Sequence, residues 1–200
     1  YSVAFVPFKG GKPAGGPEDF LTGWMLSPKK QEVWGRPVAI LEMPDGSKGG
    51  RYDLAAYVPK DLPLILRGNA DRVDARKRIG SVNASTTSGK INASSHGQLE
   101  LSSTSGMIQA IQLQENWIGT SRISSDSGRI IVVTPLSGNL SLSAQTAGRL
   151  STNFGLSIHP REGGGSMAAA RYGSGTSVLD VGSKTGEVVL DQAVLLEEDR

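Results

Sequence analysis

Cysteine is absent from the 200 residues. That excludes disulfides, thiol nucleophiles and cysteine-ligated zinc, while leaving the compartment open. Aromatic side chains are scarce at 6%, so a core has to be assembled from Val, Ile, Leu and Ala. Neither sign of charge is in excess. The net charge of +2 lacks the concentrated basic face that nucleic-acid binding requires. No apolar run approaches the ~18–20 residues that cross a bilayer as a helix. The chain opens at Tyr1 with neither Met nor a signal-like segment, which points to a fragment or a processed form.

What the chain does have is glycine, 26 residues of it, together with 10 prolines. Residues 1–50 hold Pro7, Pro13, Pro17, Pro28, Pro37 and Pro44, and also Trp24 and Trp34. Each proline removes a backbone donor and fixes its own φ, so regular helix is not expected there. Residues 3–8 and 38–41 read as short strands, the second closed by the turn signal Pro44-Asp45-Gly46. Residues 47–50 read as a linker. The predicted organisation is a Pro/Gly-rich head with its linker over 1–50 and a second domain over 51–200. Early in the second domain Arg72, Arg76, Lys77 and Arg78 are opposed by Asp71 and Asp74. That cluster reads as a solvated edge, with polyanion contact through Arg76, Lys77 and Arg78 as the alternative.

From Gly80 the sequence becomes periodic. Glycines fall at 80, 89, 97, 106, 119, 128, 138, 148 and 155. A phrase recurs around them: a small polar residue, Gly, any residue, then an aliphatic one. Ser88-Gly89-Lys90-Ile91, Ser105-Gly106-Met107-Ile108, Ser127-Gly128-Arg129-Ile130 and Thr185-Gly186-Glu187-Val188 carry it. Alternation such as Leu99 and Leu101, or Leu140 and Leu142, places apolar groups on one face of a strand. A glycine at each corner allows the positive φ of a sharp turn. Such strands cannot bury a face singly but can when stacked. Two strands per coil, with steps from Gly89 to Gly106, Gly106 to Gly128 and Gly128 to Gly148, predict an all-β parallel β-helix (β-solenoid) of short strands. An antiparallel β-sandwich is the alternative. The Arg161-Glu162-Gly163-Gly164-Gly165-Ser166 stretch reads as a flexible loop, and residues 167–172, 177–181 and 187–190 as closing strands.

Catalytic constellations are not evident. His96 and His159 have no partner at metal-ligand spacing, and no G-x-S-x-G elbow occurs. Between residues 81 and 153 the carboxylates are Glu100, Glu115 and Asp126, in different coils. A paired-carboxylate site needs two of them within about 5–10 Å. Gly163-Gly164-Gly165 lacks the lysine and helix of a phosphate loop. Trp117 stands in the longest gap between the repeat glycines and reads either as a core ring or as a ligand contact. No catalytic, cofactor-binding or metal-binding residue is assigned and no cofactor is expected. The candidate ligand contacts are Trp117, Arg76, Lys77 and Arg78.

Two resemblances bear on these segments. The repeated Ser/Thr-Gly phrase, followed by Arg171-Tyr172-Gly173-Ser174-Gly175 and Thr185-Gly186-Glu187-Val188-Val189-Leu190, resembles a bacterial family of β-helical candidate-adhesin domains of unknown function over residues 51–195. That resemblance implies a right-handed β-helix of the cell envelope or surface, periplasmic or extracellular, with no established catalytic residues. The acidic residue that family often places after its glycines is replaced here by Lys90, Met107, Arg129, Asn139 and Arg149. Val3-Ala4-Phe5-Val6-Pro7-Phe8, Pro17-Glu18-Asp19-Phe20-Leu21-Thr22-Gly23-Trp24 and Trp34-Gly35-Arg36-Pro37-Val38 resemble the last blade of quinone-dependent, sorbosone-dehydrogenase-type β-propellers over residues 1–47. Arg36 is the position such a propeller would turn toward its cofactor, but the remaining blades are missing. The expected function is non-catalytic adhesion, scaffolding or protein contact, with protein or polysaccharide at the cell surface as partner. An inactive dehydrogenase fragment is the alternative. No nucleic acid and no membrane span are expected.

Overall fold

The structure, a computed structural model, describes residues 58–136 and 138–193, together with the backbone of six short strands between residues 3 and 33. The chain divides into a unit of Tyr1–Val58 and a unit of Pro59–Arg200. In the first, β1 (Val3–Phe5) pairs antiparallel with β4 (Glu18–Leu21), β2 (Phe8–Lys9) with β3 (Lys12–Pro13), and β5 (Met25–Ser27) with β6 (Glu32–Val33). The strand expected at 38–41, the linker at 47–50 and Arg36 lie outside the described residues.

The second unit begins with β7 (Leu64–Arg67), β8 (Val73–Arg78), β9 (Val82–Thr86), β10 (Ile91–Ser95), β11 (Leu99–Ser103), β12 (Ile108–Gln112) and β13 (Gly119–Ser125). It continues with β14 (Ile130–Thr134), β15 (Leu140–Thr146), β16 (Leu150–Thr152), β17 (Ile158–Pro160), β18 (Ser166–Arg171), β19 (Ser177–Ser183) and β20 (Val188–Gln192). One sheet runs β16-β20-β14-β12-β10-β8 and the other β17-β18-β15-β19-β13-β11-β9-β7. The strands of both sheets pair in parallel, except that β18 and β17 add antiparallel at one end. No helix occurs among the described residues. From β7 to β17, and again from β19 to β20, successive strands alternate between the two sheets rather than folding back on themselves, so the arrangement is a parallel β-helix and not an antiparallel sandwich.

The core follows from the alternation. Leu66, Ala84, Leu101, Ile123, Val181 and Ala144 align in one inward column of the eight-stranded sheet. Val73, Ile91, Ile108, Ile130, Val188 and Leu150 align in the facing sheet. From Ile91 to Val188 this second column is fully buried. Burying each such side chain contributes ~1.5–3 kcal/mol, and this repeated aliphatic contact offsets the scarcity of aromatic rings.

The glycines of the series divide into two groups. Gly119, Gly138 and Gly155 have the positive φ expected of sharp corners, whereas Gly89, Gly106, Gly128 and Gly186 have ordinary φ. A Cβ on Gly106 would run into the carbonyl oxygen of Gly89, one on Gly128 into that of Gly106, and one on Gly186 into that of Gly128. Glycine is needed because successive backbones touch at the corner. A buried hydroxyl three residues earlier completes each turn. Ser103 Oγ accepts from Gly106 N–H at 2.8 Å, Ser125 Oγ from Gly128 N–H at 2.8 Å, and Ser183 Oγ from Gly186 N–H at 2.9 Å.

The order of the coils also departs from the sequence. Gly128 is followed in the stack by Gly186, and Gly148 lies beyond that. The coil β19–β20 sits between β13–β14 and β15–β16. The step from Gly128 to Gly148, which counts as one coil in the sequence, therefore spans two levels.

Candidate functional site

The outward face of the eight-stranded sheet carries two rows. In the first, Arg67 Nη1 donates to Asn83 Oδ1 at 2.7 Å and Asn83 Nδ2 donates to Glu100 Oε2 at 2.6 Å. The row continues with Arg122 and Asp180, 4.0 Å apart. Asn83, Glu100, Arg122 and Asp180 are successive register partners on this face, while Arg67, the register partner of Ser85, reaches diagonally to Asn83.

The second row is made of small groups. Ser85, Ser102, Ser124, Gly182 and Gln145 are successive register partners. A groove of about 520 Å³ opens over this row, lined also by Thr104, Asp126, Lys184 and Arg161. Lys184 Nζ and Asp126 Oδ1 are 2.8 Å apart across the corner. The lining contains no aliphatic or aromatic side chain. Gly182 lies in mid-strand at ordinary φ, and a Cβ added there would have open space around it. It is alone among the described glycines in having neither a positive φ nor a neighbour to make room for. Glycine inside a strand weakens it and often marks a place where another molecule approaches closely.

Chemically the groove offers hydroxyls, an amide, a guanidinium and one ion pair. No histidine lines it, and its one carboxylate, on Asp126, is paired with Lys184. Glu100 is engaged by Asn83 in the neighbouring row. Among the described residues no cluster of three or more His, Asp or Glu could hold a metal ion, and no helix is long and apolar enough to cross a membrane.

The four residues singled out from the sequence are not brought together with this groove. Trp117 is 3% exposed and belongs to the core, while its neighbour Ile118 is 90% exposed. Arg78 is 6% exposed and donates through Nη2 to the carbonyls of Pro59 at 2.6 Å and Leu62 at 2.9 Å. Arg76 projects outward and pairs with Asp74 at 3.1 Å. Lys77 sits in a β-bulge with φ of 53°, its N–H donating to Ser94 Oγ at 2.8 Å. Asp74 collects Arg72, Arg76 and Asn92. Partial burial raises its pKa, but the hydrogen bonds from Asn92 and Arg72 and the two guanidinium charges prevail and hold it below the ordinary carboxylate value. His96 and His159 are exposed in separate parts of the stack.

The groove residues escaped the sequence reading because serines abound and nothing marks Ser102 or Ser124 as neighbours. The one available signal was Gly182, a glycine outside the repeated phrase within an otherwise alternating strand.

Fold and groove define a class: a two-sheet parallel β-helix with a hydroxyl-rich trough along one face. No protein-family model and no curated protein matches the chain. Among solved structures, a candidate cell adhesion protein from Clostridium sporogenes is similar, with a TM-score of 0.50 at 12% identity over 67% of this chain and 93% of its own. At that identity the likeness speaks for the fold. The propeller resemblance of residues 1–47 finds no match, and its side chains lie outside the described residues.

Proposed function

We propose that the β-helix is a non-catalytic contact module of the cell envelope or surface, holding an extended polar partner along the Ser102–Ser124–Gly182–Gln145 row. The groove supports this most directly. It is open, it is lined by hydrogen-bonding groups without a nucleophile–base pair, and it is floored by a glycine that the fold itself does not require. Polar groups repeated at the ~4.8 Å spacing of stacked strands suit many weak contacts to a repeating ligand. The similar solved structure, assigned a candidate role in cell adhesion, agrees with a contact role. Polysaccharide is the favoured partner, because a lining without aliphatic or aromatic side chains offers little to the aromatic anchors of protein interfaces.

The test compares retention of the chain on beads carrying polygalacturonate, dextran or gelatin. Retention on a polysaccharide, reduced at least about tenfold (~1.4 kcal/mol) in Gly182→Trp with the fold intact, is the expected result. Equal retention of both forms removes the groove from the account, and retention on none of the surfaces removes the reading as a whole.

A further inference from the structure

The last coil of the chain is built as an insert. β19 has seven register partners on β13 and seven on β15, and β20 lies between β14 and β16. β14 and β15, consecutive in the chain, therefore stand two levels apart where one would be usual, roughly 10 Å, with the space between filled by residues 177–192. The chain returns to that space through a short crossing. Tyr172 N–H donates to the Leu140 carbonyl at 2.7 Å, Ser174 N–H to Asn139 Oδ1 at 2.8 Å, and Ser177 N–H to the Asn139 carbonyl at 2.8 Å. Gly173 and Gly175, with φ of 52° and 66°, form the swing points of this crossing.

We propose that the same slot takes residues 177–192 from a second copy of this chain, so that two molecules complete each other's β-helix reciprocally. The slot has a strand edge on each side, and each edge presents unpaired N–H and C=O groups whenever the coil is out. Its inward surface is fixed by Ile123 and Ala144, between which Val181 fits, and by Ser121 and Leu142, between which Leu179 fits. A coil from a second copy makes every one of these contacts again. Only the crossing at residues 172–176 differs between the closed and exchanged forms, so hinge conformation and chain concentration decide between them. Glycine at the two swing points lets the crossing straighten with little steric cost.

The absence of cysteine makes the exchange directly readable. Thr120 and Val178 are register partners on the outward face. The single variants Thr120→Cys and Val178→Cys, unfolded together, refolded at rising concentration and then mildly oxidised, are expected to give a disulfide-linked species of two chains whose share grows with concentration. The double variant Thr120→Cys/Val178→Cys, refolded dilute, should close internally and confirms that the geometry permits the bond. A second pair reports the alternative fate of the slot. Thr120 and Ser141 stand two levels apart, about 10 Å, beyond the ~7 Å reach of a disulfide. Closure of Thr120→Cys/Ser141→Cys in place of intermolecular linkage means that the slot collapses on itself, and overturns the proposal. So does internal closure of the first double variant with no linked species from the mixture at any concentration. Should that double variant fail to fold, native mass spectrometry of co-refolded isotope-labelled and unlabelled wild-type chains decides the matter: dimers of hybrid mass support exchange, and monomers alone overturn it.

Discussion

The backbone carbonyl of Gly128 fills the space in which Gly186 would carry a side chain. These residues come from coils that are adjacent in the stack although another whole coil separates them in the chain. Their contact records both how tightly the levels pack and how the C-terminal coil is threaded.

Gly186→Ala should therefore destabilise strongly, by ~1–3 kcal/mol or more, because the obstacle is backbone that cannot rotate away. Gly182→Ala, four residues earlier, should be neutral or stabilising by up to ~1 kcal/mol, since the added methyl meets nothing and restricts the unfolded chain. Urea denaturation of the two variants checks both signs; similar losses in each would contradict the distinction.

Replacing a corner hydroxyl should cost about 1–3 kcal/mol per site, as in Ser125→Ala or Ser183→Ala, because the buried Gly128 or Gly186 N–H loses its partner. Ser127→Ala, at an exposed hydroxyl, should change stability by less than ~0.5 kcal/mol. Thermal midpoints of the three variants provide the comparison.

Trp117 contributes through its buried ring. Its Nε1 has no hydrogen-bond partner among protein groups, so Trp117→Phe should be tolerated far better than Trp117→Ala, for which ~3–5 kcal/mol is expected. Calorimetry separates the two; equal losses would show that the indole nitrogen matters more than the packing.

Asp74 links stability to pH. Its pKa is lower in the folded chain than in the unfolded one, so the folded state binds fewer protons around that value. The contribution is complete above the unfolded value of 3.8 and disappears as pH falls through the lower folded value. Asp74→Asn should remove this component, leaving a shallower loss of thermal stability between neutral pH and the acid end. Identical pH profiles for the variant and the parent would show that the Arg72–Asp74–Arg76 cluster does not act in this way.

Much of the fold was legible in the residues. The Leu99/Leu101 and Leu140/Leu142 alternation identified strands because a pleated chain turns every second side chain inward, and the repeated Ser/Thr-Gly phrase located the corners. Its physical role was harder to read: close backbone approach and positive φ both call for glycine, and composition does not separate them. The groove was less accessible still. Ser102 and Ser124 are unremarkable individually, and with Gly182 they become one surface only once β11, β13 and β19 lie side by side.

By itself the sequence determined the strands, the corners and the aliphatic core, because these depend on neighbours only a few positions away. The tertiary structure alone decided which coil lies on which. β15 and β19 share a length of seven residues and the same inward alternation, although their corners differ, so both are candidates for the place beside β13. The choice between them rests on the crossing at Asn139 and on the hairpin of β17 and β18, which bring the end of the chain back into the stack.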